Sequence, residues 1–345
     1  MGLLKIICCI LVVLLHSPQF LPYSVFIAYR SLTAVAVPCF MSITGYYVFY
    51  KKEYDNRSAW LIAWRFFIIY LIWTTAYNYM YFIFDNEGSD FISYWINHSD
   101  GWTIWYIKVY FEIMIVYPLI RPITKSDTRA KMYSFFWLIF ICLRFSLTQF
   151  GINEKIIKII QIPFFQFSDY FGGTLAAFFP MEALGYYIAG GFLVKIFREN
   201  RIPNMTRITK IIVSFGGVIL TIAITCFTVI KYGTEYFNNP LQPYNIWIAF
   251  SAFGFMLLFF DFTRLYQEKL IKLKGVISYC SDKTLGVYLI QIFIKKWLLT
   301  FSTFSKCEPG ETRLALVFLI MLIGSFLFSA FCKKIIPERI NRYIL

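Results

Sequence analysis

The sequence predicts an all-α fold, a polytopic membrane helical bundle of about ten transmembrane helices, and three observations carry that prediction. Apolar side chains make up 59% of the 345 residues and charged ones only 15%, against about 45–50% and about 25% in soluble domains. Long apolar runs recur from one end of the chain to the other. The basic residues sort onto alternate connections between those runs. An excess of apolar surface on this scale needs lipid as its solvent. The composition excludes a secreted disulfide scaffold, a disordered chain and a soluble nucleic-acid binder.

A helix rises about 1.5 Å per residue and the hydrocarbon layer is about 30 Å thick, so a run of about 20 apolar residues can cross it. The first run, Leu3–Gln19, includes Lys5 and passes through Ile6–Leu15 to His16. After His16 the chain reads Ser-Pro-Gln-Phe-Leu-Pro, with no small-x-small cleavage pattern, so the segment reads as a retained helix rather than a signal peptide. Val25–Tyr50 carries Arg30, and Ala59–Phe84 carries Arg65. An acidic, polar connection over 85–100 is too short to be a domain. Trp102–Ile120 holds Lys108 and Glu112 four apart, the spacing of an ion pair on one helix face. Met132–Phe150 holds Arg144 near one end, and Tyr170–Ile196 holds Glu182 beside Gly185 and Tyr186. Thr209–Ile230 and Pro243–Phe262 come next. Ile277–Phe301 carries Lys295 and Lys296, which can snorkel toward the interface, and Arg313–Lys333 completes the set. No run leaves room for a soluble domain, so residues 1–345 read as one membrane domain.

The net charge of +14 then tests the topology. With the N-terminus inside, the cytoplasmic connections collect 21 of the 33 Lys and Arg residues and the outer ones five, with seven inside the runs. That bias is what the positive-inside rule requires, and it places both termini in the cytoplasm of a cell membrane. The charge serves orientation against anionic lipid, and no nucleic-acid partner is expected. The cysteines lie mostly inside the runs and show no CxxC, so neither a disulfide framework nor a metal site is indicated.

Ionisable residues inside a membrane are costly and point to function unless a partner explains them. His16 is the only histidine within a run. Lys5 stands eleven residues earlier, nearly three helical turns, so both side chains share a face about 16 Å apart along the axis. That arrangement sets a fixed cation at the cytoplasmic mouth and a titratable imidazole toward the outer half. Imidazole suits general-base chemistry near neutral pH when it is kept unprotonated. Arg30 and Arg65 have no carboxylate at helical spacing and suit a wet cavity or an anionic ligand.

Lys5-x10-His16 resembles the Arg/Lys-x10-His signature that opens the acyltransferase-3 family of integral membrane O-acyltransferases. Residues 5–17 and 35–52, Trp105-Tyr106, Ala183–Tyr187 and Leu285–Ile290 resemble further elements of that family, in its order and over essentially the whole chain. Lysine stands at position 5 where arginine is commoner, and Gln291 stands where many relatives have histidine. The resemblance implies transfer of an acyl group, usually acetyl, from acyl-coenzyme A to a hydroxyl of an extracytoplasmic glycan or lipid-linked sugar. Acetyl-CoA enters as a donor substrate, with no permanently bound cofactor. In that reading His16 is the base and Arg30 orients the acceptor or stabilises the oxyanion. Lys5, Arg65, Lys51 and Lys52 meet the phosphates of coenzyme A. Tyr46, Trp105 and Tyr106 stack on sugar, with Glu182 and Gln291 also on the acceptor. Gly45 admits a close approach of backbone or substrate. The rival readings are a multi-helix transporter or permease, whose usual internal repeat is missing, and a glycan polymerase or flippase-like protein, whose large outer loop is missing.

Overall fold

The structure is a computed structural model that describes residues 1–17, 23–51, 53–85, 91, 104–143, 146, 181–201, 206–233, 241, 244–300 and 311–337. It is 91% helical with no strand among the described residues. The helices are α1 (Gly2–His16), α2 (Tyr23–Thr33), α3 (Ala36–Gly45), α4 (Asn56–Asp85), α5 (Trp105–Thr124), α6 (Asp127–Phe136), α7 (Met181–Gly185), α8 (Gly191–Arg198), α9 (Arg207–Tyr232), α10 (Ile246–Leu265), α11 (Gln267–Lys272), α12 (Lys274–Ser281), α13 (Thr284–Thr300) and α14 (Glu311–Ile335). Wider π-helical turns extend α3 over Tyr46–Lys51 and α6 over Trp137–Leu143, and join α7 to α8 over Tyr186–Gly190.

Among the described residues, five helical stretches are long and apolar enough to cross a membrane: Val25–Lys51, Asn56–Ile83, Arg207–Tyr232, Ile246–Leu265 and Arg313–Ile335. They correspond to five of the ten expected runs. Gly2–His16 is apolar but shorter. The expected span Ile277–Phe301 is corrected by a break at Asp282–Lys283, which divides α12 from α13. Ser281, Asp282 and Thr284 cluster there, and such side chains compete for backbone groups that a helix would use. The Thr284 hydroxyl indeed donates to the Ser281 carbonyl at 2.8 Å. Much of the expected fifth and sixth runs lies outside the described residues.

The chain forms two compact units. The first contains Met1–Leu11, Pro22–Glu53 and Pro118–Ile277. Its closest packing is between helices whose facing residues are small. A Cβ on Gly45 would fall on the Tyr187 carbonyl, so α3 meets the Tyr186–Gly190 turns backbone to backbone. Small residues are what allow helices to approach this closely when lipid rather than water surrounds them. Tyr186 and Tyr187 are fully buried there, and the Tyr50 hydroxyl donates to the Ile188 carbonyl at 3.0 Å. On α9 and α10, Ser214 and Gly217 face Gly254 and Ser251. Lys210, which the sequence assigns only to orientation, is buried and pairs with Asp261 across the same two helices at 2.6 Å.

The second unit contains Val12–Leu21, Tyr54–Tyr117 and Ser278–Leu345. Its core gathers Ile69, Trp73 and Tyr77 of α4, Ile107 of α5 and Leu289 and Ile292 of α13. The buried Tyr77 hydroxyl donates to the Leu289 carbonyl at 2.7 Å, and its ring lies 4.5 Å from that of Phe293. The ion pair expected on α5 forms, with Lys108 Nζ 3.9 Å from Glu112 Oε1.

Candidate active site

Helix α1 carries both Lys5 and His16, as the eleven-residue spacing requires. His16 is its last residue; it is half-buried, and its Nδ1 is enclosed. The Lys5 ammonium stands 4.8 Å from the centre of the Tyr47 ring. Lys51 approaches the same ring at 4.6 Å. A third cation, Arg198 at the end of α8, lies within electrostatic reach of Tyr47. Three cations therefore gather around one aromatic side chain, in the π-helical turns that extend α3. Such turns are often found at functional sites.

Two members of this group are absent from the sequence-derived set. Tyr47 stands four residues before Lys51, a spacing that places the two side chains near each other on a helix. That signal was present in the sequence. Arg198 gave none, because only the fold carries the end of α8 to Tyr47. Its neighbours Lys195 and Arg201 have a different partner: both donate to Asp127, at 2.7 and 2.8 Å. Those hydrogen bonds hold the Asp127 carboxyl below the ordinary carboxylate range, Lys195 contributing most.

Arg30 sits on α2 in the first unit, its guanidinium 5.9 Å from the Phe26 ring one turn earlier and its Nε buried. Tyr46 packs edge-on against Tyr47, at 5.5 Å between ring centres. Arg65 belongs to the second unit, where it stands over the Phe66 ring at 5.8 Å and within electrostatic reach of Lys333. The fold thus brings Lys5 and Lys51 together within the first unit. Lys52 lies outside the described residues; Glu182 lies in α7, and its side chain is also outside them.

Trp105 opens α5 and is half-buried, while Tyr106 meets the Tyr288 ring at 6.0 Å. Gln291 is fully buried on α13, and both its amide oxygen and its amide nitrogen lack a hydrogen-bond partner among the described residues. Thr74 and Asn78 on α4 each bury a polar atom in the same condition. A buried amide without a partner costs free energy, and it ordinarily marks a place for water or a polar ligand. Gly45 is resolved in favour of structure, since the group that approaches it is the backbone of Tyr187.

These features define an all-helical membrane protein with a line of basic and imidazole groups along its first helix. The family model described as an acyltransferase domain matches residues 1–333, and the chain belongs to the acyltransferase-3 family. It is on that ground a membrane acyltransferase. Neither a curated protein sequence nor a solved structure matches it.

Proposed function

We propose that the protein is an O-acyltransferase of the cell membrane that moves an acyl group, usually acetyl, from acyl-coenzyme A to a hydroxyl of an extracytoplasmic glycan or lipid-linked sugar. The observation that carries this reading is the helix that holds Lys5 and His16. At one end Lys5 joins Lys51 on the Tyr47 ring, near Arg198. Clustered cations of this kind suit the phosphates of coenzyme A. At the other end, about 16 Å along the axis, stands the imidazole. Both termini are taken to be cytoplasmic, which sets the donor's phosphates on the basic side and the acceptor on the other.

The reaction is built on those two ends. His16 accepts the proton of the acceptor hydroxyl as its oxygen attacks the thioester carbonyl. The tetrahedral oxyanion collapses with cleavage of the C–S bond, the ester remains on the acceptor, and the proton returns from the imidazolium to the coenzyme A thiolate. Arg30 is assigned the oxyanion or the acceptor, a role in which a fixed positive charge has large leverage. The Gln291 amide, which lacks a partner among the described residues, and the rings of Tyr46, Trp105 and Tyr106 suit a sugar, to which Glu182 is assigned as well.

The deciding experiment measures free thiol released from acetyl-coenzyme A by the purified protein when a glycan acceptor is added. A transferase releases thiol and the His16→Ala protein does not. A permease moves the acceptor across a vesicle membrane without consuming the thioester, and that result would replace this reading.

A further inference from the structure

Three helices of the first unit leave a groove of about 270 Å³ between them. Lys131 and Ser134 of α6 line one side of it, Phe192 and Leu193 of α8 another, and Phe253 and Leu257 of α10 the third. The α8 and α10 walls are apolar, so the polar groups come from α6. Ser134 offers little, because its hydroxyl already donates to the Ala130 carbonyl at 2.6 Å. Lys131 is exposed and supplies the charge of the groove.

Helices α6 and α8 run antiparallel, since Asp127 pairs with Lys195 and, farther along, the Trp137 ring meets that of Tyr186 at 4.8 Å. The first contact marks the basic end, where the last turn of α8 carries Lys195 and Arg198. Lys131 stands one turn inward of Asp127, at the spacing that ordinarily makes two such residues an ion pair. Asp127 is otherwise engaged: its Oδ1 accepts from Lys195 at 2.7 Å and its Oδ2 from Arg201 at 2.8 Å. Among the described residues Lys131 therefore has no carboxylate partner. A lysine one turn inside the membrane surface lays its stem along apolar side chains and carries its ammonium out to the level of the lipid headgroups. An apolar groove at bilayer depth with such a cation beside it matches a molecule with a hydrocarbon tail and an anionic head.

We propose that this groove binds one anionic phospholipid, its headgroup on Lys131 and an acyl chain along Phe192, Leu193, Phe253 and Leu257. A zwitterionic lipid fills the same groove but brings no net charge to Lys131, so the site selects by headgroup. Lys131 belongs to neither the donor nor the acceptor residues named above. The site rests on the position of the chain in a membrane and does not depend on the transferase reading.

The test uses the full chain in nanodiscs of mixed phosphatidylcholine and phosphatidylglycerol, with native mass spectrometry counting the lipids that the released protein retains. One phosphatidylglycerol is expected to stay bound in preference to phosphatidylcholine. Lys131→Gln lowers that preference about fivefold, the scale of one lysine at an anionic lipid surface. Leu193→Trp fills the groove from a half-buried position and keeps the charge, and it removes the retained lipid of either kind. Lys272→Gln, on α11, where no residue is buried, is the control and changes neither readout. Lys131→Gln alters an exposed side chain, so the headgroup arm is read even if Leu193→Trp fails to fold. A phosphatidylglycerol preference that survives Lys131→Gln overturns the proposal, and so does a retained lipid that survives Leu193→Trp. A dimer that retains no lipid shows a second copy of the chain on the groove and overturns it as well.

Discussion

Lys195 and Arg201 are held by the Asp127 carboxylate at 2.7 and 2.8 Å, whereas Lys5 and Lys51 lie on the ring of Tyr47 at 4.8 and 4.6 Å. The two groups belong to the same unit, and in the sequence all four residues contribute equally to the positive side of the charge bias. The fold treats them differently. A carboxylate neutralises a cation and uses its hydrogen-bond donors, so the Asp127 group is committed to structure. A ring attracts a cation without carrying a net opposing charge, at a gain of about 0.5–1 kcal/mol in exposed settings. Lys195 also lies over the Tyr50 ring at 5.8 Å, so it is the Asp127 carboxylate that commits this group to structure, while the cations on Tyr47 are the ones proposed to receive an anionic ligand.

That contrast can be broken at several points. Replacing His16 with alanine removes the proposed base and is expected to lower acyl transfer by at least about 100-fold, with the protein still folded by circular dichroism. Gly45→Val drives a side chain into the Tyr187 carbonyl. Overpacking of this kind costs about 1–3 kcal/mol, measured as a lower unfolding temperature in detergent. Neutralising Lys5 and Lys51 together should raise the KM for acetyl-coenzyme A about tenfold, the scale of one charge-assisted hydrogen bond, and leave thermal stability nearly unchanged. Asp127→Asn should do the reverse, with KM unchanged and a stability loss of about 1 kcal/mol or less, as for partly exposed pairs.

The Asp127 group also has a pH signature. Its carboxyl is held below the ordinary range by Lys195 and Arg201. The stability it contributes is therefore complete above the unfolded carboxylate value of about 4 and is lost as the pH falls through the lower folded value. Thermal unfolding measured from pH 6 downward should show this loss in the parent protein and a smaller one in Asp127→Asn. An equal loss in both proteins would remove Asp127 from the account.

The sequence carried the fold class because hydropathy and charge bias are sums over many residues, and no single misplaced side chain alters them. It also carried the Lys5–His16 pair, since two residues on one helix have their relation set by helical geometry. The Lys108–Glu112 pair was legible for the same reason. Relations between helices were not. Lys210 read as an orienting charge because Asp261, its partner, is 51 positions away in sequence. Gly45 read as an opening for backbone or substrate until the Tyr186–Gly190 turns packed on it.

Sequence by itself determined that this chain is a helical membrane protein with a cation and an imidazole on its first helix, because periodicity and composition act locally. Only the tertiary structure decided which cations are spent on carboxylates and which stand on rings. It also divided the expected ninth span at Asp282–Lys283 and tied Lys333 to the Asp282 carbonyl there. Electrostatic pairing depends on distances of a few ångströms between side chains far apart in the chain, and those distances exist only once the helices have packed.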